Sequence, residues 1–122
     1  MHKLILLEDD QVLVSNRADL ERLLSSDASL TKAVPGMLEV LPPGSNKGDG
    51  VMKLLEHYNI HPSNAIAFGD GENDVEFLEN IKALGGVSIA VANARDSLKK
   101  VATAVGESND DHGVARVLDL LE

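Results

Sequence analysis

Apolar residues in this chain come in short runs, and their spacing changes from one run to the next. Residues 3–7 are nearly continuous in Leu and Ile and stop at Glu8-Asp9-Asp10, the pattern of a buried strand followed by a polar break over residues 8–11. Leu20, Leu23 and Leu24 then recur at helical spacing, which predicts a helix over residues 17–24 with Asn16 as its N-cap. Residues 30–34 and 37–41 read as two short strands around a Pro35-Gly36 turn. A Pro/Gly-rich loop follows at residues 42–50 and is the best domain boundary in the chain.

Beyond that loop the period alternates. A helix over residues 51–58 carries Val51, Leu54, Leu55 and Tyr58 on one face. Residues 65–68 form a strand, 75–81 a helix with Val75, Leu78 and Ile81 inward, and 87–91 a second strand. A helix at 96–101, a short strand at 103–105 and a terminal helix at 113–121 complete the order. Alternation of this kind predicts an α/β fold, a parallel sheet covered by helices. Residues 1–41 instead read as strand, helix and hairpin, a small α+β unit, so the expected division is 1–41 and 42–122.

Composition narrows the function classes. Three aromatics, Tyr58, Phe68 and Phe77, leave the core to Leu, Val, Ile and Ala. The absence of cysteine excludes disulfides and thiolate metal sites and fits a cytoplasmic or other reducing compartment. A formal net charge of −9 argues against nucleic-acid or anionic-membrane partners, which select basic surfaces. No apolar run approaches the roughly 20 residues of a membrane helix.

The chemistry concentrates in Phe68-Gly69-Asp70-Gly71-Glu72-Asn73-Asp74. A strand delivers Asp70 to its carboxyl end, where open α/β sheets bind ligands. Asp70, Asn73 and Asp74 fall within one turn of a helix start and offer hard oxygen donors suited to Mg²⁺. The same residues also suit turns and caps, so spacing alone leaves both roles open. Lys47 lies 23 positions before Asp70 in a glycine-rich loop that opens the preceding helix. In a parallel sheet, that order can bring an ammonium to the same edge as the carboxylates, where it would offset phosphate charge.

Four separated stretches together carry a resemblance: 38–48 around Lys47, 68–74, Val91-Ala92-Asn93-Ala94, and 108–115. In order and spacing they resemble the haloacid dehalogenase superfamily, in its Cof-type sugar-phosphatase branch, over residues 37–122. The resemblance implies a HAD-like Rossmannoid core and a Mg²⁺-dependent phosphohydrolase acting on a phosphorylated small molecule. It implies Lys47 as the catalytic, phosphate-stabilising lysine and Asp70 as a metal ligand. Asn73 would contact the phosphoryl group or orient a metal-bound water. Asp74 would support the metal or hold the lysine. Residues 1–41 are similar to the end of the α+β cap of that branch.

The sequence departs from the family at its start. Members open with a strand ending in Asp-x-Asp, the first aspartate being the nucleophile, and no such segment is found here. Glu8-Asp9-Asp10 is followed by Gln11-Val12 instead of glycine and threonine, and only 37 positions separate Asp10 from Lys47. Ser15-Asn16-Arg17 resembles the family's Ser/Thr-Gly-Arg segment but lies too close to Asp10. The expectation is therefore an incomplete form, inactive alone, that self-associates, joins a complementing chain or rearranges compactly. Two other classes compete. One is a noncatalytic metal/phosphate-binding or assembly fragment. The other is a signalling receiver domain, suggested by the apolar strand ending in an acidic pair.

Overall fold

The computed structural model describes residues 3–32 and 34–121. The chain divides into two compact units, Met1–Asn46 and Lys47–Glu122.

In the first unit, strands β1 (Leu4–Leu7), β2 (Ser29–Thr31) and β3 (Met37–Leu41) form an antiparallel sheet in the order β1-β3-β2. The register pairs Leu4 with Val40 and Leu7 with Met37 on one side, and Leu30 with Val40 on the other. Leu38 and Val40 point inward, and helix α1 (Asp10–Leu24) packs over β2 and β3 with Leu13 buried.

Helix α1 begins seven residues earlier than the sequence pattern predicts, at Asp10 in place of Arg17. Its N-cap is Asp9, whose carboxylate accepts from Gln11 N at 2.9 Å. Asn16 lies inside the helix, its Nδ2 donating to Val12 O at 2.8 Å. Polar residues at 8–11 mark a helix start as well as a break, because carboxylates satisfy the free amides of a first turn. The strand expected over residues 30–34 ends at Thr31; Val34 belongs to the turn before Met37, and Ala33 lies outside the described residues.

In the second unit, β4 (Ile66–Gly69), β5 (Val87–Ala90) and β6 (Ala104–Val105) form a parallel sheet in that order. Helices α3 (Val75–Ala83) and α4 (Asp96–Val101) make the two crossovers, and α2 (Lys47–His57) packs against α3. The core holds Ala67, Leu78, Ile81, Ala90, Val91, Ala94, Leu98 and Ala102. Val51 and Leu55 of α2 pack on it, whereas Leu54 and Tyr58 are 55% and 64% exposed. The four-residue apolar face predicted for this helix is therefore only half used.

Ser88, fully buried on β5, exchanges hydrogen bonds with Thr103: Ser88 N donates to Thr103 Oγ1 and Thr103 N to Ser88 Oγ. They add to the backbone bond from Thr103 N to Ser88 O, and together tie the chain to β5 just ahead of β6, which starts at Ala104. Helix α5 (Gly113–Leu118) gives way to a 3₁₀ turn at Asp119–Leu121, shortening the helix expected over 113–121.

Strand β4 pairs only with β5 among the described residues, so its other edge is open. Leu118, Leu120 and Leu121 are also exposed. A receiver domain would place its first strand in the parallel sheet; here β1 belongs to a separate antiparallel sheet, which removes that alternative. No described helix is long and apolar enough to cross a membrane.

Candidate functional site

The carboxyl ends of β4, β5 and β6 lie at one edge, and their loops are tied there backbone to backbone. Val91 N donates to Gly69 O, Arg95 N to Asp70 O, and Ala92 N to Glu107 O.

Strand β4 ends at Gly69, and a 3₁₀ turn, Glu72–Asp74, leads into α3. The turn closes tightly on the strand end. A Cβ on Gly69 would stand 2.8 Å from Asp74 Cβ and 3.1 Å from Leu78 Cδ1. A Cβ on Gly71 would stand 2.6 Å from Asn73 Oδ1. Gly69 is thus required by close approach and lets Asp74 fold back under the loop, whereas at Gly71 only the movable end of the Asn73 side chain would have to give.

Asp74 is 4% exposed, with both carboxylate oxygens engaged. Oδ2 accepts from Asp70 N at 3.1 Å and Gly71 N at 3.2 Å; Oδ1 lies 2.6 Å from Lys47 Nζ. Burial by itself would raise the pKa of this carboxyl. The Lys47 hydrogen bond and charge, with the two amides, outweigh burial and hold it below its usual value. Lys47 is the first residue of α2, and its side chain is about half exposed. A cation at a helix N-terminus adds to the positive end of the dipole, so this corner favours an anion, while Asp74 anchors the lysine.

Asp70 sits at the exposed rim. Among the described residues no hydrogen bond or ion pair takes up its carboxylate. Lys47, Asp70 and Asp74 line one open cleft of about 360 Å³, walled by Phe68, Phe77 and Val91. Asn73 shares the turn but is not among the cleft's lining residues. Asn109 and Val114 do line it, and sequence reasoning gave them no role. The signal was present in residues 108–115, which follow the third parallel strand and so must emerge at the same edge.

Among the described residues no group of three or more His, Asp or Glu side chains gathers as a metal cage. The donor set still fits Mg²⁺, which typically takes one or two carboxylates and completes its octahedron with water and phosphate. Asp70 supplies the uncommitted carboxylate, and Asp74 stands behind it.

Asp9 and Asp10 of the first unit are used structurally. Asp9 caps α1; Asp10 accepts from Gly36 N at 2.8 Å and pairs with the buried Lys32 at 2.6 Å.

Comparison with known proteins bears on the fold. The sequence profile described as haloacid dehalogenase-like hydrolase matches residues 1–118. A 5-amino-6-(5-phospho-D-ribitylamino)uracil phosphatase of Bacillus subtilis is 40% identical over 85 residues, covering 70% of this chain and 28% of that protein. A chloroplastic protein of Arabidopsis thaliana named endoribonuclease YBEY is 43% identical over 88 residues, covering 72% of this chain but only 14% of that protein. So small a share carries no ribonuclease assignment. A solved HAD/COF-like hydrolase from Plasmodium vivax superposes with a TM-score of 0.86 at 34% identity, covering 98% of this chain and 43% of that one. The chain thus spans less than half the length of each of these proteins.

Proposed function

Because the chain belongs to the haloacid dehalogenase-like hydrolases, we propose that it forms the phosphate- and metal-binding part of a phosphomonoester hydrolase. The nucleophilic aspartate is supplied by residues outside this sequence. The observation that carries the reading is the Lys47–Asp74 ion pair, sharing one cleft with the uncommitted Asp70 carboxylate.

Each side chain then has a task. Lys47 neutralises phosphate charge as a point cation and stabilises the negative charge that builds during transfer. Asp74 fixes the ammonium and, through the Asp70 and Gly71 amides, the shape of the loop. Asp70 would hold Mg²⁺, with Asp74 behind it; Asn73, in the same turn but off the cleft wall, would orient the phosphoryl group or a bound water only by turning its side chain toward the cleft. When bound, the ion acts as a Lewis acid on a phosphoryl oxygen. Lys47 and the α2 N-terminus draw in the anion despite the net negative charge of the chain.

The substrate class is a phosphorylated small molecule, a sugar phosphate or a similar phosphomonoester. The phosphatase name of the B. subtilis relative supports that class. Nucleic acid and membrane are not partners in this reading, and the compartment is the cytoplasm or another reducing one. The open edge of β4 and the exposed apolar residues near the C-terminus favour completion by further chain or by self-association. The same observation supports a second reading, a noncatalytic assembly module that retains the pocket.

Titration calorimetry with Mg²⁺ and inorganic phosphate on the wild type and Asp70→Ala tests the site. Binding in the wild type and its loss in the variant is expected; no binding to either protein removes the proposal. Turnover of a phosphate ester separates the two readings. The chain alone should be nearly inactive, and activity abolished by changing Asp9 or Asp10 would overturn the external nucleophile.

A further inference from the structure

The loop after β6 enters the cleft by a construction that the phosphate site does not need. Asn93, in the loop after β5, uses its Oδ1 to accept from Asn109 N at 3.2 Å and from Ser108 Oγ at 3.2 Å. Gly106 N donates to Ala90 O and Gly113 N to Ser108 O, so residues 106–113 are pinned at both ends. Ser108 Oγ also lies 3.3 Å from Asn109 Oδ1 and accepts from Asp110 N. The single Ser108 hydroxyl hydrogen serves Asn93 or Asn109 at any one time, so what these bonds hold at the cleft is the backbone of Asn109. No hydrogen bond among the described residues uses its Nδ2, and the residue lines the cleft with Lys47 and Asp70.

We propose that Asn109 donates a hydrogen bond to the organic part of the bound phosphate ester, with Asn93 as the residue that positions it. This rests on the phosphate-site reading above and extends it to specificity. The charged groups, Lys47 and Asp70, serve the phosphoryl end. A neutral amide on a different loop adds little to neutralising a dianion but discriminates among uncharged polar substituents. Phe68, Phe77, Val91 and Val114 supply apolar walls for the carbon skeleton beside it. The ligand class is a hydroxyl-bearing phosphate monoester.

Calorimetry on the full chain in Mg²⁺ with two probes, inorganic phosphate and ribose 5-phosphate, tests this. Asn109→Ala should weaken ribose 5-phosphate binding about tenfold and leave inorganic phosphate within about twofold, the loss of one hydrogen bond. Asn93→Ala should weaken the ester in the same direction and speed hydrogen exchange at Asn109 N. Asn93→Asp keeps both acceptor contacts and should restore the ester. The double alanine variant should bind no worse than Asn109→Ala. Equal losses for both probes, or no loss for the ester, overturn the inference while the phosphate site stands. A wild type that binds neither probe removes the site and this inference with it. Thermal melts of each variant guard against loss of fold as the cause.

Discussion

Lys47 Nζ lies 2.6 Å from Asp74 Oδ1, although 27 positions separate the two residues. The two partners are unequal: the carboxylate is buried and the ammonium is half in water. Removing the carboxylate therefore costs more than removing the cation. Asp74→Ala should lower stability by about 2–3 kcal/mol, since two backbone amides and the ammonium lose their acceptor. Lys47→Met should cost less, about 1–2 kcal/mol, because the buried Asp74 carboxylate loses its cation but keeps the two loop amides. Urea denaturation of the two variants checks the order, and a larger loss for Lys47→Met would contradict this account.

Acid should weaken the same contact. The folded state holds the Asp74 pKa below its usual value of 3.8, so its contribution is fully present above that value. It is lost as pH falls from there through the lower folded value. The stability difference between the wild type and Asp74→Asn should be flat near neutrality and shrink below about pH 4. A difference that grows on acidification would reverse the sign.

Gly69→Ala tests the closure of the loop on the strand. Its Cβ would stand 2.8 Å from Asp74 Cβ, within the distance at which something must shift. A destabilisation of about 1–3 kcal/mol is expected, with a fall in Mg²⁺-dependent phosphate binding. Gly50→Ala, where the added Cβ meets nothing within 4 Å, should be harmless to the site and serves as the control.

Two leucines at apparently similar helical positions should differ sharply. Leu78 is fully buried and Leu54 is 55% exposed. Leu78→Ala should cost about 2–5 kcal/mol, and Leu54→Ala within about 0.5 kcal/mol. Thermal or urea unfolding decides, and equal effects would mean that α2 packs differently.

The start of α1 gives a further comparison. Asp9→Ala removes the N-cap and should cost about 1 kcal/mol. Asn16→Ala, inside the helix, should be close to neutral or slightly stabilising, because alanine is the better helix former. The opposite order would return the cap to Asn16.

The sequence by itself determined the alternation of elements after Lys47, hence the parallel sheet, and it placed Asp70 at a strand end. Those features are local, because period, glycine pairs and strand-to-helix order are written in consecutive residues. It cannot tell a polar break from a helix cap, and its apolar spacing points to Arg17 where α1 in fact starts at Asp10. Nor could it decide which of Leu54, Leu55 and Tyr58 meet the core, since helical spacing defines a face but not what covers it. Only tertiary structure committed both oxygens of Asp74 to Lys47 and the loop amides while leaving Asp70 uncommitted at the rim. Only tertiary structure brought Asn109 into the cleft through Asn93. Such roles depend on distances between segments far apart in sequence, and no pattern of neighbouring residues encodes them.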